Sequence, residues 1–164
     1  MPDLMIDVKD FPAEGLELTL DIAPEKVVQL VTASGEEEPV VKSPLTGLLR
    51  IGLNDSRLAV RGNFKVTVSI PCDRCLAETS ADITSQVDEI LELGSANTDA
   101  LEDEEVDGLL PIIDGRADLS GLMAELFWLA WPFRFICRTD CAGLCIHCGA
   151  DLNDGPCGCG SSTH

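Results

Sequence analysis

The sequence has few basic residues, few aromatics and two histidines. Eleven lysines and arginines stand against 29 aspartates and glutamates, a formal charge of −18 over 164 residues. A chain this acidic repels a phosphate backbone at long range, which disfavours nonspecific nucleic-acid binding and favours basic partners. An acidic surface also serves solubility alone. Aromatic residues are 4% of the chain. Trp128 and Trp131 have no basic residues interleaved with them, so they read as packing residues rather than a base-stacking platform. Neither histidine, His147 nor His164, is paired with a plausible nucleophile, and the acidic run is not spaced like a two-metal site. The expectation is therefore a protein that is not an enzyme. No apolar run approaches the length of a membrane helix. The opening Met1, Pro2 and Asp3 show neither a basic n-region nor an apolar h-region. A chain with no membrane span, in a compartment that keeps thiols reduced, is expected.

Cysteine, by contrast, is plentiful. Cys72 and Cys75 form a C-x2-C pair, and Cys137, Cys141, Cys145, Cys148, Cys157 and Cys159 follow with the spacing C-x3-C-x3-C-x2-C-x8-C-x-C. A C-x2-C turn brings two thiolates to one metal while intervening N–H groups point at the sulfurs. Tetrahedral zinc suits such soft ligands, and eight cysteines supply two closed sites of four thiolates. Gly149 fits the tight backbone that commonly follows such a pair. A disulfide framework would need an oxidising compartment and a denser cysteine scaffold. A redox pair would sit between a strand and a helix in a cysteine-poor chain.

The economical partition places Cys145, Cys148, Cys157 and Cys159 on one ion, as a compact C-terminal knuckle. Cys72 and Cys75 then meet Cys137 and Cys141. An interleaved arrangement, in which the two C-x2-C pairs share one metal, stays open. Closed sites leave no water position for Lewis-acid catalysis. His147, inside a C-x2-C, is expected to be exposed rather than a ligand.

Periodicity supplies the frame. Leu16, Leu18, Leu20 and Ile22 alternate with polar residues as a half-buried strand. Pro24 suits the first turn of a helix through Val27, Val28, Leu30 and Val31, and residues 35–39 read as a charged loop. Leu49, Ile51 and Leu53 alternate up to a turn at Asn54, Asp55 and Ser56. Leu58, Val60, Gly62, Phe64, Val66, Val68 and Ile70 then alternate without a break, with Arg57, Arg61 and Lys65 in the opposite phase. Pro71 ends that strand and Cys72–Cys75 caps it. Ala81, Ile83, Ser85 and Val87 resume the period, so the first C-x2-C is predicted at a hairpin tip. Residues 94–108 read as a mobile acidic loop, 109–113 as a strand, and Asp114 with Gly115 as a turn. Asp118 or Ser120 then caps a helix with Leu119, Leu122, Met123, Leu126, Phe127, Leu129 and Ala130 on an apolar face; Pro132 stops it.

The fold class expected is α+β, an antiparallel β-rich domain with one or two packed helices and a small C-terminal zinc-bound appendix. The divisions are 1–136 for the core, 137–159 for the cysteine cluster and 160–164 for a tail.

The run from Leu58 through Pro71-Cys72-Asp73-Arg74-Cys75-Leu76 resembles the YceD-like family, the large ribosomal RNA subunit accumulation proteins. The order that follows is similar too: acidic loop, strand, the Asp118-Leu119 helix, Trp131-Pro132, then cysteines. Gly143-Leu144-Cys145 through Cys148-Gly149 and Leu152-Asn153 look like the cysteine-rich ending of part of that family. Ile146 and His147 depart from it, since a proline after the first knuckle cysteine is the more familiar form. The resemblance implies a cytoplasmic bacterial protein needed for 23S ribosomal RNA accumulation. Joined to the charge, it implies a large-subunit precursor as partner, reached through a basic ribosomal protein or assembly factor. A strip of Arg57, Arg61, Lys65 and Arg74 touching RNA is the weaker idea. A thiol-disulfide or zinc-release sensor is the rival function.

Overall fold

The unbroken alternation from Leu58 to Ile70 forms a fifteen-residue strand, and the sheet is assembled on both sides of it. The computed structural model describes residues 4–32, 38–95 and 109–161. Most of the expected charged loop at 35–39, acidic loop at 94–108 and tail lies outside these residues. In chain order the elements are β1 (Met5–Asp7), β2 (Leu16–Ile22), α1 (Pro24–Val31), β3 (Val40–Val41), β4 (Leu45–Asn54), β5 (Arg57–Pro71), β6 (Glu78–Ser95), β7 (Leu109–Ile113), β8 (Arg116–Asp118) and α2 (Ser120–Leu129). Short 3-10 turns follow at Leu152–Asp154 and Gly158–Ser161.

The eight-stranded sheet has the order β1-β8-β7-β6-β5-β4-β2, and β3 lies beside β5. Pairing is antiparallel except for β6 with β7, which run parallel. This is the expected α+β architecture. Leu58, Val60, Phe64, Val66, Val68 and Ile70 are all buried, with Leu45, Leu49 and Ile51 of β4 and Ile83 and Val87 of β6. Both helices cover this face. Val27, Leu30 and Val31 of α1 and Met123, Leu126 and Phe127 of α2 join the same core. A sheet with one packed and one solvated face shows this alternation of apolar and polar side chains.

The solvated face is laced by charge. Arg57 pairs with Glu92 at 2.9 Å, Arg61 with Asp88 at 2.8 Å, Lys65 with Asp82 at 2.7 Å and Arg50 with Glu17 at 2.8 Å. Lys65, then Thr67, holds the Asp82 carboxyl below its ordinary range. The basic phase of β5 is therefore answered by carboxylates from the neighbouring strand. Such exposed pairs contribute little stability, about 0–1 kcal/mol each, but they set a carboxylate against Arg57, Arg61 and Lys65.

Three local details differ from expectation. Leu4 and Ile6 are buried through β1, which pairs with β8 by Met5 opposite Asp118. Leu129, placed on the apolar face of α2 by spacing, is 70% exposed. At the start of α2 the Asp118 carboxylate accepts the Ser120 N–H at 2.8 Å, while Leu119 holds the cap position. Trp128 and Trp131 pack as expected: Trp128 meets the Phe127 ring edge-on and Trp131 meets it tilted, and the Trp128 indole N–H donates to the Val31 carbonyl at 2.8 Å. That bond ties α2 to α1.

An added Cβ at Gly62 of β5 would lie 1.9 Å from the Leu48 carbonyl oxygen of β4. Backbone cannot give way cheaply there. Gly62→Ala should cost about 2 kcal/mol or more, read as a lower urea midpoint at unchanged slope. Gly52→Ala, which meets nothing within 4 Å, should be neutral or slightly stabilising in the same assay.

Candidate metal centre

All eight cysteines gather into two groups of four. The Sγ atoms of Cys72, Cys75, Cys137 and Cys141 lie within 4.8 Å of one another, as do those of Cys145, Cys148, Cys157 and Cys159. These are the groups of the economical partition, not the interleaved one. Cys72 and Cys75 sit at the tip between β5 and β6, as the hairpin reading required. Each group offers four sulfurs to one ion, so each can hold a metal. His147 is exposed and belongs to neither group.

The first group joins segments far apart in the chain. Cys72 Sγ is 3.9 Å from Cys141 Sγ, and Cys75 Sγ is 3.7 Å from Cys137 Sγ. The segment leaving α2 is strapped to the hairpin tip by a reciprocal pair of bonds. Asp73 N–H donates to the Phe135 carbonyl at 2.9 Å, and Phe135 N–H donates to Asp73 Oδ2 at 2.7 Å. Cys72, Cys75 and Cys141 are buried against Ile136 and Leu144, while Cys137 is exposed.

The two C-x2-C turns are built alike. Cys72 Sγ accepts the N–H of Arg74 at 3.4 Å, and Cys145 Sγ accepts that of His147 at 3.5 Å. Leu76 N–H donates to the Cys72 carbonyl at 2.8 Å; Gly149 N–H donates to that of Cys145 at 2.9 Å. Cys72 N–H reaches the Ala77 carbonyl at 2.9 Å, and Cys145 N–H that of Ala150 at 2.8 Å. The residue after each pair is left-handed, Leu76 at φ 61° and Gly149 at φ 73°. One backbone solution thus brings two sulfurs to a common point in both places.

Asn153, which spacing placed only in a loop of the second group, connects the two. Its Oδ1 accepts the Ala142 N–H and Arg138 Nη2 at 2.8 Å, and its Nδ2 donates to Cys141 Sγ at 3.6 Å. The Asp-Leu-Asn run after the last C-x2-C was the available signal. Leu144 N–H also donates to the Arg74 carbonyl at 3.0 Å, joining one turn directly to the other.

The family model of the large ribosomal RNA subunit accumulation protein YceD matches residues 60–164, more than half of the chain and all eight cysteines. The chain belongs to the YceD family. Among curated relatives it is similar to an uncharacterized protein of Mycobacterium leprae (strain TN), 26% identical over 133 residues, 80% of this chain and 60% of that protein. Uncharacterized proteins of Mycobacterium bovis and Mycobacterium tuberculosis are 28% identical over 108 residues, 66% of this chain and 51% of theirs. The chain thus spans between about half and three-fifths of the length of these relatives. No solved structure matches it.

In this member of the YceD family the turns polarise their thiols unequally. The N–H of Cys137, with those of Arg74 and Cys75, outweighs burial and brings the Cys72 thiol down to about 6. The N–H groups of Cys148 and His147, with the Cys157 thiol, do the same for Cys145, to about 6. Desolvation of its sulfur, although the residue is exposed, and then the neighbouring Cys141, Cys72 and Cys75 push Cys137 up to about 12. A hydrogen bond with Cys148, then desolvation and the charge of that neighbour, push Cys159 up to about 12. Cys72 and Cys145 ionise readily, whereas Cys75 and Cys137 in the first group and Cys157 and Cys159 in the second are held protonated more strongly until a cation lies between them.

The matched turns differ in one cost. Leu76 occupies the left-handed region with a side chain, whereas Gly149 does so freely. Leu76→Gly should stabilise by up to about 1 kcal/mol, and Gly149→Ala should destabilise by about as much. Thermal unfolding at matched metal content reads both.

Proposed function

We propose that the protein is a non-catalytic factor in the accumulation of 23S ribosomal RNA, with one zinc ion in each cysteine tetrad. The observation that carries the reading is the gathering of every cysteine into two four-sulfur groups within a chain of the YceD family. Tetrahedral zinc with bonds of about 2.3 Å to sulfur requires sulfurs roughly 3.8 Å apart. The separations of 3.7 and 3.9 Å suit it. Four thiolates complete the coordination, so the ion serves as a clamp and not as a Lewis acid.

On this reading residues 1–136 form the core, and residues 137–159 close over its hairpin tip. The protein works in the cytoplasm on a large-subunit precursor, through a basic ribosomal protein or assembly factor. The −18 charge supports a basic partner, and the ion pairs of Arg57, Arg61 and Lys65 weigh against direct RNA contact.

A second reading, a thiol switch that releases zinc on oxidation, draws on the exposure of Cys148 and Cys159. Native mass spectrometry with thiol alkylation separates the two. Two retained zinc ions and no fast-reacting thiol are expected; a metal-free protein with a fast-reacting Cys72 or Cys75 would favour the switch. Cys72→Ser should lose one ion and roughly 4 kcal/mol or more of stability. Cys157→Ser should also lose one ion yet leave unfolding of the sheet near its original temperature. A thiolate held by a cation has its folded pKa lowered. The stabilisation is therefore present in neutral and alkaline solution and disappears as pH falls and protons displace the metal.

Depletion in the host cell should lower 23S relative to 16S ribosomal RNA and shift precursor particles on a gradient. An unchanged ratio would overturn the ribosomal reading. Complementation with Arg61→Glu and Lys65→Glu together should restore the ratio, whereas failure to do so would point to direct RNA contact.

A further inference from the structure

Both tryptophans of the chain line one groove that lies outside the cysteine tetrads. It is a cleft of about 380 Å³ bounded by β3, the end of β5, the hairpin tip and the end of α2. That volume is within the roughly 300–1,000 Å³ of ligand clefts. Pro39, Pro71, Trp128 and Trp131 give it apolar walls, and Glu38 and Asp73 bring carboxylates to it. No lysine, arginine or histidine is among its lining residues. Neither Glu38 nor Asp73 is in an ion pair among the described residues.

The walls are held in place. The indole N–H of Trp128 is engaged by Val31, so its ring meets the groove as an apolar surface. The Trp131 ring lies 5.3 Å from it at 46°. Asp73 is fixed by the Phe135 N–H and by its position between Cys72 and Cys75. Aromatic faces beside unneutralised carboxylates attract a cationic head, by the ring quadrupole and by charge-assisted hydrogen bonds. A nucleic-acid base would also stack on indole, but single-strand grooves carry cations for the phosphates. This groove carries the opposite charge.

We propose that the groove binds an extended, arginine-bearing segment of a basic protein partner, with a guanidinium placed between the tryptophan rings and the carboxylates of Glu38 and Asp73. The proposal takes only the partner's origin from the ribosomal reading; the preference for a cation rests on the groove's own residues.

The chain has two tryptophans and no tyrosine, so intrinsic fluorescence reports on this groove alone. A capped hexapeptide alternating alanine and arginine, titrated into the metal-loaded protein, should change the emission saturably. Glu38→Gln and Asp73→Asn should each weaken binding about fivefold, with circular dichroism unchanged. A glutamate version of the peptide and hexauridylate should leave the emission as it was. No response to the arginine peptide, an equal response to either control, or unaltered affinity in both variants would overturn the proposal. Because the titration uses purified protein alone, such a failure leaves the 23S reading standing. A positive titration beside an unchanged 23S to 16S ratio would do the reverse.

Discussion

Four sulfurs from two distant parts of the chain must meet at the tip of the β5–β6 hairpin, and much of the molecule hangs on that meeting. Cys75 and Cys137 are 62 residues apart, and Cys72 and Cys141 are 69. Closing loops of that length costs conformational entropy that two hydrogen bonds at Asp73 do not recover by themselves. A cation held by the four sulfurs would supply the missing attraction and also remove the repulsion among thiolates. The second tetrad is attached to the first through Leu144 and Asn153. Asp73, which closes one side of the tryptophan groove, belongs to the same tip.

The tip also shows how little sequence a sulfur site needs. Two turns of unlike composition, Cys72-Asp73-Arg74-Cys75-Leu76 and Cys145-Ile146-His147-Cys148-Gly149, make the same set of backbone bonds. The cysteine spacing and the left-handed residue after it carry the geometry. The intervening side chains are free to do other work: Asp73 accepts the Phe135 N–H through Oδ2 and is among the residues lining the groove.

The strands were legible in the sequence because one sheet face is packed and the other wet, which imposes a period of two on β2, β4, β5 and β6. The tetrads were legible because short cysteine spacings allow few partitions. β1 escaped notice: three residues are too few to show a period, and its partner β8 lies over a hundred residues on. The parallel pairing of β7 with β6 leaves no local trace either, since register between separated strands is set by tertiary packing. Leu129 was misplaced because α2 is apolar nearly all round, so spacing could not say which side faces the core. The carboxylates that neutralise Arg57, Arg61 and Lys65 come from β6, and only the register of the hairpin brings them opposite.

The pairing of β1 with β8 has a consequence for the growing chain. Synthesis proceeds from the N-terminus, so Leu4 and Ile6 wait uncovered until Arg116–Asp118 has been made. Cys72 and Cys75 wait likewise for the segment 137–141. At about 5–20 residues per second, the 62 residues between Cys75 and Cys137 take roughly 3–12 s to emerge. The hairpin can zip during that interval, but its tip stays open. An ion that needs all four sulfurs could close that tip only after both strands of the hairpin had been made, as a latch on strands already present.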